Sequence, residues 1–273
     1  ADAAAQAAII RICRLVDGVP LALEMAAAWV RALSPTQIVA EIEKSLDFLT
    51  DPRSDAVDRH RSQRAVFDAS WKLLDPTERD AFARLAVFRG GFDSPAAEWV
   101  AGCAGATLAG LVDKSLIRRE GESHYSVHPL LQQYALEKLA AQPQREAATI
   151  DRHIEWFTRL LADRQPDIYG AGLPAALAVL NRNLDNIRQA WRMAARRGHF
   201  GFFAQAVDAL LLVFDINSLS QEAQQLLHEA RQQLLGQSAG QPEEEIVLAQ
   251  MLAHEGVFSF RLGQFEQAKD YPR

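Results

Sequence analysis

A chain of 273 residues, 49% hydrophobic and 23% charged, has room for about two globular domains with real cores. Its formal net charge of −6 argues against a surface built throughout for nucleic acid, though a local basic patch is compatible with it. Two cysteines, Cys13 and Cys103, with no Cys-x-x-Cys, exclude a disulfide framework, a zinc ribbon and a thioredoxin-type motif. They fit a reducing, cytoplasmic setting. The longest apolar runs, 172–180 and 209–214, fall far short of the roughly 20 residues of a membrane span. No basic-then-apolar leader is visible. The sequence opens at Ala1 inside a helical pattern and closes at Tyr271-Pro272-Arg273 just after another, so it reads as a piece of a longer protein.

In chain order, residues 3–46 predict three helices. The first carries an apolar stripe of Ile9, Ile12, Leu15 and Val16 and ends at Asp17-Gly18, where glycine takes the left-handed cap without steric cost. Pro20 opens the second, which continues over 21–33; Ser34-Pro35 opens the third with a hydroxyl cap and a first-turn proline. The polar stretch 50–63, with Arg53, Arg59, His60, Arg61 and three aspartates, has the composition of a solvated linker.

Residues 64–141 change period. Helices are expected at 65–74, from Asp75-Pro76-Thr77-Glu78 to about Phe88, from Ser94-Pro95 to about Cys103, and over 106–114. Gly90-Gly91 marks a turn. Residues 115–119 and 125–128 read as short strands around a turn at 120–122, and Pro129 opens a last helix to Leu139. Successive helices, then a hairpin, then a last helix is the order of a winged helix. Residues 145–273 are helical throughout, with breaks at 165–174, 198–199, 216–220 and 236–242. At the end, Leu262-Gly263-Gln264-Phe265-Glu266-Gln267-Ala268 matches the middle of a tetratricopeptide unit. The fold class is therefore mainly α: a partial helical domain (1–50), a winged helix with a short β-hairpin (64–141), and an α-superhelix leading into tetratricopeptide-like repeats (145–273).

Chemistry-bearing motifs are few. There is no GxxxxGK[ST], HExxH or GxSxG, so catalytic and metal-ligating residues are expected to be none, and no enzyme is expected from this chain. His124 and His128 lack companions for a metal site. Trp29, Trp71, Trp99, Trp156 and Trp191 lie in helical patterns and are expected in cores. The helix 106–114 is the one a winged helix would lay in the major groove, yet it offers one threonine, one aspartate and one lysine. Nine Lys/Arg against ten Asp/Glu over 64–138 leave that segment at −1. Direct DNA binding through it is not expected.

An ordered set of motifs resembles a known family. Gly18-Val19-Pro20-Leu21-Ala22-Leu23 is similar to the GxP motif of the STAND signalling ATPases, the class of the NB-ARC proteins and of bacterial AfsR- and MalT-like regulators. The likeness continues through 73–79 (LLDPTER), 85–92 (LAVFRGGF) and 111–117 (LVDKSLI). It runs on through 127–135 (VHPLLQQYA) and 183–191 (NLDNIRQAW).

The resemblance implies a regulator in which a P-loop domain precedes these segments, as their partner in the same chain. ADP with Mg²⁺ would hold the parent closed. A protein, peptide or small-molecule inducer on the repeats and exchange for ATP would open it, and it would oligomerise; its hydrolysis would be a slow switch. By the same resemblance Pro20 packs on adenine, Gly18 admits close backbone approach, and His128, as the histidine of the family's MHD motif, contacts the β-phosphate. Val127 and Pro129 depart from that motif's Met and Asp, and the capping role of that Asp is thereby in question. Without a P-loop, this chain alone is expected to need no cofactor and to bind nucleotide weakly or not at all. Two other readings are a repeat scaffold without nucleotide switching and a DNA-binding winged-helix regulator.

Overall fold

Prolines set the starts of many helices, because a residue without an N–H loses nothing in a first turn and its φ is already helical. The computed structural model describes residues 3–16, 18–47 and 58–264. Within them it has fourteen α-helices, a single 3-10 turn and three short strands. The molecule is mainly α with a short hairpin and helical repeats. It divides into two compact units, one of residues 1–86 and 92–146, the other of residues 87–91 and 147–273.

In the first unit α1 (Ala3–Leu15) precedes α2 (Pro20–Ala28), a 3-10 turn (Trp29–Arg31) and α3 (Pro35–Asp47). The buried stripe of α1 is Ala8, Ile12 and Val16, whereas Ile9 is 50% exposed. The inward face keeps Ile12 and Val16 of the expected stripe and takes Ala8 in place of Ile9. Ser34 caps α3: its Oγ accepts from Gln37 N–H at 3.4 Å, and Gln37 Oε1 accepts from Ser34 N–H at 2.9 Å.

Helix α4 (Asp58–Lys72) begins inside the stretch expected to be a linker. Its first turn is wholly polar, so no apolar periodicity announces it; residues 50–57 lie outside the described residues. In α5 (Pro76–Leu85), Asp75 and Glu78 form the expected reciprocal cap, at 2.8 and 3.0 Å. Arg79 donates to the terminal carbonyls of α4, Trp71 at 2.9 Å and Lys72 at 2.7 Å, tying the two helix ends together.

Strand β1 (Phe92–Asp93) was not expected, because two residues carry no alternation. It leads into α6 (Ser94–Ala101), capped by Asp93 rather than Ser94. After α7 (Gly105–Asp113), Ser115 takes a left-handed conformation (φ 57°). Leu116 and Ile117 are buried before any strand begins. The hairpin is shorter than expected: β2 (Arg118–Glu120) and β3 (His124–Ser126). The sheet order is β1-β3-β2, antiparallel, with Phe92 opposite Tyr125 and Arg119 opposite Tyr125 on the other side. Helix α8 (Pro129–Ala140) closes the unit and packs on α5. Helices α4 to α8 with this sheet have the winged-helix order.

After the first turn of α9 (Pro143–Ile168), the second unit is built from the rest of that helix, α10 (Leu173–Arg182), α11 (Leu184–Arg196), α12 (Phe200–Ile216), α13 (Ser220–Leu235) and α14 (Pro242–Arg261). Helix α9 runs through the expected break to Ile168, with Pro166 in its last turn, where it forfeits only one helical bond. Neighbouring helices pack serially, α11 and α12 on α13, and α13 and α12 on α14. Trp191 is 1% exposed between Phe202 and Phe203 and donates to Leu226 O at 3.1 Å. Trp29 is as well buried, but Trp99 is 39% exposed, which corrects the expectation of a core position for every tryptophan. Of the tetratricopeptide-like segment, Phe265 to Ala268 lie outside the described residues.

Residues 87–91 belong to this second unit. Phe88 packs against His153 and Phe157. Asn186, fully buried, accepts from Arg89 N–H at 2.6 Å and donates to Gly91 O at 2.7 Å. At Gly90 φ is +74°, and a Cβ there would lie 3.2 Å from the Asp185 carboxylate. The expected turn thus becomes a backbone segment held against α11.

Candidate functional site

The three residues singled out by the sequence lie in the first unit. Gly18 has φ +65°, and a Cβ there would point into open space. Its glycine is therefore required by the left-handed turn and not by a close neighbour within this chain. Gly18 N–H donates to Cys13 O at 3.0 Å, closing α1. Pro20 is the first residue of α2, capped by the extended residue Val19, and is exposed.

His128 is the N-cap of α8. Its Nδ1 accepts from Leu130 N–H at 3.2 Å. The capping function left open by Pro129 is thus taken by the histidine itself. A ring nitrogen that accepts has a free lone pair, so the neutral imidazole carries its proton on Nε2. That leaves an N–H donor at the N-terminus of a twelve-residue helix, where the helix dipole favours an anion.

Two further residues connect these positions. Glu24 stands one turn after Pro20, on the same face of α2. Its carboxylate meets Arg118 of β2 at 2.8 Å. Both charges act on His128: burial lowers the imidazole pKa first, Arg118 lowers it further, and Glu24 opposes them. The structure therefore brings the start of α2, the wing and the cap of α8 to one place. It does so through a Glu24–Arg118 pair separated by 94 residues in sequence, which no local motif signals. With its pKa held below the usual histidine value, His128 is the neutral tautomer at pH 7 and a single-proton donor from Nε2. Replacing Arg118 by Gln removes one lowering influence and releases Glu24, so the His128 pKa should rise. Glu24→Gln should lower it. An NMR titration of the imidazole reads both, and shifts of the same sign in the two variants would contradict this geometry.

The groove-reading helix of a winged helix corresponds here to α7. Leu108 and Leu111 face the core, and the Lys114 ammonium is engaged by Glu78. Among the described residues no group of three or more His, Cys, Asp or Glu could hold a metal ion. None of the described helices is long and apolar enough to cross a membrane.

No family model and no solved structure matches the chain. It is similar to a protein of Mycobacterium tuberculosis named "Putative HTH-type transcriptional regulator", 35% identical over 222 residues, and to one of the same description in Mycobacterium bovis with the same identity. The aligned part is 75% of this chain and 24% of each regulator. The chain thus spans about a quarter of the length of these curated relatives. It is also 36% identical over 151 residues to an "Uncharacterized protein" of M. tuberculosis, covering 50% of this chain and 37% of that protein.

Proposed function

We propose that this chain is the regulatory and sensor portion of a nucleotide-switched transcription regulator of the STAND class. In this reading the winged helix is an autoinhibitory latch, and the helical repeats take an inducer. The observation that carries it is the convergence of the α2 start, Arg118 and His128 on one face of the first unit. The residues fit the phosphate end of a nucleotide in that an Nε2–H donor stands at a helix N-terminus, with the Arg118 guanidinium, paired with Glu24, beside it. Pro20 offers an apolar ring of fixed φ with no N–H to leave unsatisfied beside a base. ADP would supply the negative charge that draws these groups together. A P-loop contributed by a preceding domain would hold most of its phosphate contacts, and Mg²⁺ would be bound there. Likeness to proteins named transcriptional regulators supports the regulatory role. The engagement of Lys114 by Glu78 supports placing the DNA contact outside α7.

The test uses the longest chain the gene encodes, purified without added nucleotide, denatured with acid and assayed by chromatography for released nucleotide. Wild-type protein should retain ADP, and His128→Ala and Pro20→Ala should each lower retention at least fivefold. The 273-residue chain alone should show no calorimetric ADP binding in the micromolar range. Equal retention in all three proteins would overturn the latch and favour a repeat scaffold without nucleotide control.

A further inference from the structure

A groove of about 270 Å³ lies between α12 and α14 in the second unit. Its floor is apolar: Leu211 and Phe258 are 5% and 3% exposed, and Leu212 lines it beside them. Charged pairs stand across its two ends. On α12, Asp208 and Asp215 are seven residues apart, which places them on one face about 10 Å from each other. On α14, His254 and Arg261 repeat that spacing. His254 Nε2 meets Asp208 at 2.9 Å, and Arg261 is paired with Asp215. Tyr169, 65% exposed, stands at the rim.

The two ends are not equivalent. Arg261 carries a permanent charge and neutralises Asp215, and its guanidinium lies over the Phe258 ring at 5.9 Å. Asp208 is met by a single ring nitrogen of His254, and its side chain is 54% exposed. Two carboxylates face one fixed cation, the Arg261 guanidinium, across the groove. An apolar floor closed at one end by an ion pair, and at the other by a carboxylate open to solvent, selects by chemistry.

We infer that this groove binds a small organic cation with an apolar body, its ammonium at Asp208 and its hydrocarbon part on Leu211, Leu212 and Phe258. An anion would find Arg261 already matched. A neutral ligand would desolvate the Asp208 carboxylate without replacing its water, which costs binding. The aromatic face of Tyr169 adds a favourable surface for a cation entering from solvent. This deepens the sensor reading by naming an inducer class for the repeats and rests on that reading for its purpose; the binding itself depends on the groove alone.

Calorimetry on the 273-residue chain tests it with three probes of one shape: phenethylamine, 2-phenylethanol and 3-phenylpropionate. The amine should bind with a sub-millimolar Kd, at least tenfold tighter than either of the others. Asp208→Asn should bring the amine down to the level of the alcohol, and Asp208→Lys should reverse the order of amine and carboxylate. Asp208 is exposed, and circular dichroism checks that both variants fold. Equal binding of the three probes, no binding of the amine, or an unchanged amine affinity in Asp208→Asn would overturn the assignment. Loss of the groove with ADP retention intact would leave the latch standing. Amine binding without ADP retention would leave the groove standing and remove the latch.

Discussion

Replacing Asn186 by Leu should destabilise the second unit by about 2–6 kcal/mol. Leucine has the same branching but a larger volume, so some overpacking adds to the loss of the polar contacts. Asn186 is fully buried and spends its oxygen on Arg89 N–H and its nitrogen on Gly91 O. Leucine can replace neither bond, and each backbone group left without a partner inside the protein costs about 1–3 kcal/mol. Urea denaturation reads the loss as a lower midpoint, and native-state hydrogen exchange adds a local signature. The Arg89 amide, protected in the wild type, should exchange faster in the variant. An unchanged midpoint would show that residues 87–91 are held by Phe88 alone.

Acid should weaken the same unit through a second buried side chain. His153 is 0% exposed and packs between Phe88 and Phe157, with ring centroids 5.5 and 4.7 Å away. Neither ring nitrogen makes a hydrogen bond of good geometry. Burial pushes its pKa down to about 3; nearby Asn186 pulls weakly the other way, and the Arg89 charge adds to the depression. The folded protein thus keeps His153 neutral while the unfolded chain takes up a proton near pH 6.5. The unfolded state binds more protons between those values. Stability from this group is complete above about pH 6.5 and falls by about 1.4 kcal/mol per pH unit as the pH drops toward 3. His153→Leu, similar in volume and without polar atoms to satisfy, should flatten that slope and raise stability at pH 5. Denaturation curves at pH 7, 6, 5 and 4 measure it. Parallel losses in both proteins would assign acid sensitivity to other groups.

Local signals carried much of this fold. Pro20, Pro35, Pro76 and Pro129 mark helix starts because their chemistry acts within one turn. The Asp75–Glu78 cap is legible for the same reason. Features that depend on distant partners were not legible. Strand β1 has two residues and exists because β3 offers it a ladder. The single-residue break at Asn183, between α10 and α11, has neither glycine nor proline to announce it. Nothing in Val87-Phe88-Arg89-Gly90-Gly91 says that it packs with residues nearly a hundred positions later. At the site, Gly18, Pro20 and His128 could be named from motifs. The Glu24–Arg118 pair that joins them is a tertiary contact between two surface charges of ordinary appearance. The groove follows the same rule. Asp208 and Asp215, His254 and Arg261 repeat at seven residues on their helices, but their meaning emerges only when α12 and α14 lie side by side.

The membership of residues 87–91 in the second unit also bears on how such proteins can be rearranged in evolution. A recombination crossover near residue 146 would deliver the helices α9 to α14 to a new gene without Phe88 beside His153 and without the backbone that satisfies Asn186. The transplanted array would carry a buried amide with nothing to bond and an aromatic cluster with an open side. Exchange that preserves a folded array must carry the winged-helix residues that bracket 87–91 in the same piece of DNA. The two units are therefore expected to be inherited as a block.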